Sequence, residues 1–379
     1  MFLVALCLAE ICSAYPTMGG LYYWVSKMKS DKPVLGYVTG ILYACAMIFT
    51  GTSGNLSTAL YIASMAEVGT GITLSRVWWT LVGTVILVVT LLVKSPVKNS
   101  ASFVFTDLEN FTGWGNKGFV VLLGFLQAVY TLEGAETSAQ VAEEARNAEW
   151  LAPIGIAASI VGSWFIGLIY LLALLFSIQS IPSVQSTSFA IPIAQLYYDA
   201  VGSRLTLLCL FVVGSCQFLA ACKLTGVCLF PANISQAPWV GVWSSAAATA
   251  YIGSVVAFNA ILSSAAIAVM LSYLQPILCR VLWPESMGAR GPFHLGKYSR
   301  GINIISALFT VFVCVLFILP TSMPVNALNM NYSIVAIGAV LVLILSSWVF
   351  YGRYHFKGPV STVDMPPLTE DADEDKKMS

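Results

Sequence analysis

Apolar runs about twenty residues long, separated by short polar stretches, recur along the whole chain. A bilayer core about 30 Å thick takes roughly 20 residues of apolar helix. That rule predicts ten spans, at 1–23, 34–63, 76–93, 118–142, 151–176, 204–222, 238–256, 258–281, 302–320 and 332–351. The connections are short and no soluble domain is inserted. A transmembrane domain over 1–351 is expected, followed by a cytosolic, disordered tail over 352–379 that ends in "PPLTEDADEDKKMS". The fold class is all-α, a polytopic bundle of transmembrane helices.

Composition agrees. The 379 residues are 58% hydrophobic and 9% charged, with a mean hydropathy of +0.82, where soluble domains carry about 25% charge. Such a chain uses lipid as its solvent. The formal net charge is zero and no basic patch stands out, which removes nucleic acid as a partner. The nine cysteines match neither a zinc-site spacing nor a disulfide framework. They read as small membrane hydrophobes. The opening "MFLVALCLAEICSA" has a signal peptide's small residue before a plausible cleavage point. It lacks a basic n-region, and Glu10 interrupts its apolar run.

Lys and Arg in short loops set orientation. The loop 279–300 carries Arg280, Arg290, Lys297 and Arg300, and 321–331 carries neither residue type. This puts 279–300, Arg146 and the C-terminus in the cytosol and 177–203 outside. Counting further back puts the 24–33 loop outside, yet it holds Lys27, Lys29 and Lys32. One span is missing between residues 33 and 118, or the rule is broken.

In the stretch "YTLEGAETSAQVAEEARNA" (130–148) the first acid, Glu133, follows fifteen uncharged residues, 118–132. Fifteen residues of helix cover about 22 Å, too short to cross. A crossing helix from Gly118 must therefore run to about Ala142 and take Glu133 and Glu136 into the membrane. Each ionised acid near the centre costs about 2.5–3.5 kcal/mol on insertion scales, so the acids need water, a cation or a partner. On a continuous helix Tyr130, Glu133, Glu136 or Thr137, Gln140 and Glu143 or Glu144 share one face. Gly134 lies between the acids, where a helix opens easily. Unwound backbone beside intramembrane acids is the pattern of a carrier's binding helix. The alternative ends the span near Leu132, with a solvated turn beyond. The short turn into "WLAPIGIA" favours the longer helix.

Three segments resemble the fungal amino-acid/choline/GABA permease branch of the amino acid–polyamine–organocation superfamily. They are "AEICSAYPTMGGLYYW" (9–24), the sixth-helix region 103–156 containing "YTLEGAETSAQVAEEARNA", and "VAFNAILSSAAIAVMLSYLQPIL" (256–278). The resemblance implies a twelve-helix carrier of five-plus-five inverted repeats, with substrate held where helices one and six break. It implies proton coupling. In this chain the break falls at Thr131 to Glu136, and Gly134-Ala135-Glu136 stands where the family reads Gly-Tyr-Asp. The ten spans then correspond to helices two, three and five to twelve. Helices equivalent to one and four are lacking, the latter between "ASMAEVG" (63–69) and "RVWWTLVG" (76–83). Restoring helix four would return the lysine-rich loop to the cytosol. The cytosolic Ser-Arg and Ala-Arg-Asp-Gly motifs are also absent from 222–241.

Other chemistry is poorly supported. "GTSG" (51–54) matches intramembrane serine proteases, but the only histidines, His294 and His355, lie in predicted loops beyond reach of Ser53. Gly51, Ser53 and Gly54 suit close helix packing. No nucleotide-binding Gly-x4-Gly-Lys-Ser/Thr occurs. Asn110-Phe111-Thr112 is a glycosylation sequon in a loop expected outside.

The expected function is secondary active uptake of amino acids, GABA, choline or related amines, with no enzymatic activity and no cofactor or metal. The substrate site is expected at Thr131, Glu133, Gly134, Ala135 and Glu136. Glu136 and then Glu133 would partner a proton or cation, unless they pair structurally with backbone or Lys223. The partners are substrate, protons and lipid, and the plasma membrane is the expected location. The competing expectation is a non-transporting, truncated or mis-spliced remnant.

Overall fold

A computed structural model describes residues 1–68, 76–107, 110–189, 191–229, 255–288, 291–326, 330–356 and 358–359. It is helical, with no strand among the described residues. The main helices are α1 (Phe2–Ala14), α2 (Gly20–Met28), α3 (Pro33–Val68), α4 (Arg76–Lys94) and α5 (Lys117–Thr131). They continue with α6 (Ala148–Ser177), α7 (Pro192–Leu229), α8 (Val255–Leu282), α9 (Ser299–Ile318) and α10 (Ser333–Ser347).

Among the described residues, 7 helical stretches are long and apolar enough to cross a membrane. These are Pro33–Thr50, Lys117–Ala139, Ala148–Ser177, Pro192–Phe218, Ser263–Leu282, Gly296–Ile318 and Ser333–His355. The expected span 238–256 falls almost entirely outside the described residues. The described apolar part of 76–93 is the shorter Thr84–Lys94.

The span expected at 1–23 does not form as one helix. α1 stops at Ala14, Tyr15 adopts φ −136° and ψ 74°, and α2 restarts only at Gly20, with φ 49°. Pro16 causes this, because its ring excludes the helical conformation from the preceding residue. The indole Nε1 of Trp24 donates to Tyr15 O at 2.9 Å and holds the turn closed.

α8 is the central helix. Within Ser263–Leu282, 67% of the span is buried, against 11% of the best window in Ala148–Ser177. α8 packs on α3, α9 and α10, while α6 lies against α1 and α4. A second apolar cluster joins Leu87 and Leu91 of α4 to Tyr197, Leu210 and Val212 of α7. Exposed apolar rows remain, such as Val85, Val89 and Val93, or Leu308, Val311, Phe312 and Val315. A soluble protein would not tolerate such rows. They are the lipid-facing surface.

The two ends of the bundle differ in charge. At one end Lys29 and Lys32 place their ammonium groups 5.0 and 4.8 Å from the Trp283 ring centroid. Ser13 Oγ donates to Glu149 O at 2.8 Å and accepts from Phe293 N at 2.9 Å. Phe356 packs on Tyr22 and Tyr37. The loops 29–32, 145–150, 283–288 and 291–298 and the end of α10 therefore gather at this basic end. At the far end Asn99 N donates to Phe176 O at 3.1 Å, Met323 N to Thr112 O at 2.7 Å, and Gln179 Nε2 to Ser95 Oγ at 2.8 Å.

This placement corrects the loop count, which had put 24–33 opposite 279–300. α3 leaves the basic end at Pro33, and α4 reaches the far end at Lys94. Of these two helices, Pro33–Thr50 of α3 is long and apolar enough to cross, and the described apolar part of α4, Thr84–Lys94, is shorter.

Arg280 is not the free loop charge that the orientation argument assumed. It pairs with buried Glu10 at 3.1 Å. Glu10 also accepts from Ser299 Oγ at 2.6 Å and Leu295 N at 3.2 Å. One carboxylate thus ties α1, α8 and α9 together. Removing one partner of a buried pair leaves an uncompensated charge and costs about 3–5 kcal/mol. Either Glu10→Ala or Arg280→Ala should sharply lower the thermal midpoint in detergent, and Glu10→Leu with Arg280→Met should recover part of the loss. Unchanged midpoints in both single variants would remove this pair as the tie.

Candidate functional site

α5 begins where the Asn116 side chain accepts from Gly118 N at 2.9 Å and Phe119 N at 3.3 Å, a strong helix start. It ends at Thr131. Leu132 leaves helical geometry and Gly134 takes φ 92° and ψ 10°. This left-handed conformation is open to glycine and strained for other residues. No heavy atom lies within 4 Å of where a Cβ would stand, so the glycine serves backbone shape rather than close packing. A 3-10 helix, Ala135–Glu144, follows.

Both sequence alternatives need correction here. The helix does not continue as α to Ala142, so the single face at 3.6-residue spacing does not exist. Nor is the following segment a solvated turn, because Ala135, Glu136, Ala139 and Ala142 are buried. The physical reason is the left-handed Gly134, which ends the α ladder while burial continues.

The break is held by side chains from distant helices. Gly134 N donates to the Tyr273 hydroxyl of α8 at 2.9 Å. The Tyr273 hydroxyl in turn donates to Glu136 Oε2. The other carboxylate oxygen, Oε1, accepts from the Tyr43 hydroxyl of α3 at 2.9 Å. Thr137 Oγ1 closes the turn on Gly134 O at 2.8 Å. Glu136 is only 3% exposed and Tyr273 only 1%. An ionised carboxylate with two hydroxyl donors keeps further acceptor capacity.

The other expected site residues are arranged differently. Glu133 is half-buried, and its Oε1 has no partner among the described residues. Ala135 is buried beside Glu136. Thr131 is exposed and turns its hydroxyl back onto Gln127 O at 2.8 Å. The side chains of Gln140, Glu143, Glu144, Ser53 and Lys223 lie outside those described. His294 and His355 are exposed at the basic end. No group of three potential metal ligands occurs among the described residues.

Tyr43 and Tyr273 were not picked out by sequence. Each is a tyrosine inside an apolar span, and a buried tyrosine hydroxyl usually finds a partner. That was the available signal.

Lipid-facing rows, a broken helix and a buried, clamped acid define a polytopic membrane protein with a candidate intramembrane binding site. The amino acid permease profile matches residues 72–227 and 231–341. The amino-acid permease BAT1 homolog of Oryza sativa subsp. japonica is 30% identical over 435 aligned positions, covering 95% of this chain and 84% of that protein. BAT1 of Arabidopsis thaliana is 28% identical with the same coverage. The choline transporter of Saccharomyces cerevisiae is 26% identical over 93% of this chain and 74% of its own length. The chain belongs to the amino acid permease family, and permeases are membrane carriers rather than enzymes.

Replacing Tyr273 by Phe would leave Gly134 N–H without its acceptor and Glu136 Oε2 without one of its donors. Each buried orphan costs about 1–3 kcal/mol. Tyr273→Phe should therefore destabilise more than Tyr43→Phe, read as thermal midpoints in detergent. Equal midpoints would mean that the Gly134 link carries nothing.

Proposed function

We propose that this chain carries a small amine or amino acid across the membrane through the break at Leu132–Glu136, with proton coupling and Glu136 as the cation or proton partner. The observation that supports this reading is the buried Glu136 carboxylate held by Tyr43 and Tyr273 beside the left-handed Gly134. Glu133, with its buried unpartnered oxygen, supplies a second acid for a cationic group. Thr131, Gly134 and Ala135 complete the site. Charge-assisted hydrogen bonds are worth about 1.5–3 kcal/mol each, so the clamp can be exchanged for a bound cation at modest cost. The names of the relatives above give the substrate classes to try, amino acids and choline, with GABA added from the sequence resemblance.

In the same reading the basic end faces the cytosol, because Lys27, Lys29, Lys32, Arg146, Lys297, Arg300 and Arg353 collect there. The C-terminal tail follows α10 into the cytosol, and the plasma membrane holds the protein.

A second reading has its own observation. The alignment with the rice relative spans 435 positions, more than this chain's 379 residues, so part of the relative has no counterpart here. In that reading the chain folds but does not transport.

Uptake of labelled amino acids, choline and GABA by cells expressing the chain separates the two. Under the carrier reading at least one substrate accumulates, collapse of the proton gradient stops it, and Glu136→Ala lowers it by roughly 10–100-fold, the equivalent of one lost charge-assisted bond. Uptake unchanged by Glu136→Ala sinks the site. No uptake of any substrate by chain that has reached the plasma membrane sinks the carrier.

A further inference from the structure

The sequence contains four Asn-x-Ser/Thr sequons, at Asn55, Asn110, Asn233 and Asn331. Asn55 lies within α3 and Asn233 lies outside the described residues. The remaining two are both at the far end of the bundle, and the structure separates them.

Asn331 is used by the fold. Its Nδ2 donates to Phe317 O at 2.6 Å and Leu319 O at 3.2 Å, satisfying carbonyls at the end of α9. Its sequon partner Ser333 is fully buried. Freeing that amide would uncap a helix.

Asn110 is exposed, as is Phe111 between the sequon positions. The Thr112 hydroxyl donates to Asn110 Oδ1 at 2.7 Å, and Thr112 N donates to the same oxygen at 3.0 Å. Both donors draw electron density from the amide and ease loss of a proton from Nδ2. Nδ2 donates to Trp114 O at 2.6 Å, within the same exposed turn. Thr112 O accepts from Met323 N at 2.7 Å, which fixes the turn against the neighbouring far-end loop.

We propose that Asn110 is a glycan acceptor and that Asn331 is not. The donor class is an oligosaccharide carried on a lipid pyrophosphate. Nδ2 attacks the anomeric carbon, a C–N bond forms, the C–O bond to pyrophosphate breaks, and the Nδ2 proton and the lipid pyrophosphate leave. No redox change occurs. The proposal rests on the orientation given above, in which the far end faces the lumen and then the outside.

The test is the electrophoretic mobility of the full chain from eukaryotic cells, with and without an endoglycosidase that removes N-linked glycans. The wild type should shift on treatment. Asn110→Gln and Thr112→Ala should abolish the shift, Thr112→Ser should keep it, and Asn331→Gln should leave it unchanged. Two added sequons report orientation, Ser186→Asn at the far end and Pro359→Asn at the basic end. A wild-type chain that does not shift overturns the proposal. If Ser186→Asn then shifts, the orientation stands and Asn110 alone has failed. If Pro359→Asn shifts instead, the orientation was wrong. A wild-type shift that survives Asn110→Gln but not Asn331→Gln also overturns it.

Discussion

Inside a bilayer every backbone N–H and every charge needs a partner from the protein, because no water is there to replace it. A helix that breaks in mid-membrane violates this rule unless other elements supply the missing bonds. Here the Tyr273 hydroxyl does so twice, accepting from Gly134 N and donating to Glu136. The break, the acid and the central helix α8 are consequently one unit. Tyr43 adds α3 to it. Without these two hydroxyls the left-handed Gly134 would be a defect, and with them it is a stable opening beside a carboxylate.

The bundle holds a second buried carboxylate, and the contrast is informative. Glu10 is paired with a full positive charge, Arg280, and accepts from Ser299 and a backbone N–H as well. That acid is already paired at short range with a full opposite charge. Glu136 accepts from the neutral hydroxyls of Tyr43 and Tyr273, and Glu133 beside it keeps an oxygen without a partner among the described residues. The difference in partners separates a scaffold acid from a candidate site acid. A charge already neutralised at short range holds helices together, whereas a charge held by dipoles stays available to a cation.

Much of this was legible in the sequence. Hydropathy located the spans because lipid imposes a length and a composition on each. Gly134 between two acids marked the break, since such a cluster is costly on an intact lipid-facing helix. Two kinds of feature escaped. Hydropathy windows average over Pro16 and Gly20, so a thirteen-residue helix and a turn read as one span at 1–23. The partners of Glu136 lie 93 and 137 residues away in the chain, at Tyr43 and Tyr273. No local periodicity connects positions so far apart, and only the packed bundle brings them together. Arg280 misled for a related reason, since a charge at a helix end reads as a loop charge until its partner on α1 is seen.

The topology links these levels. Charge counting alone asked for an extra crossing between residues 33 and 118. The spatial grouping of loops puts Lys29 and Lys32 against Trp283 at one end and the finish of α4 beside Gln179 at the other. The candidate site does not depend on how that crossing is supplied. α3, α5 and α8 already meet at Glu136, through Tyr43, the break itself and Tyr273. What the crossing decides is whether the bundle around that site can alternate between its two ends, which is a requirement of transport and not of folding.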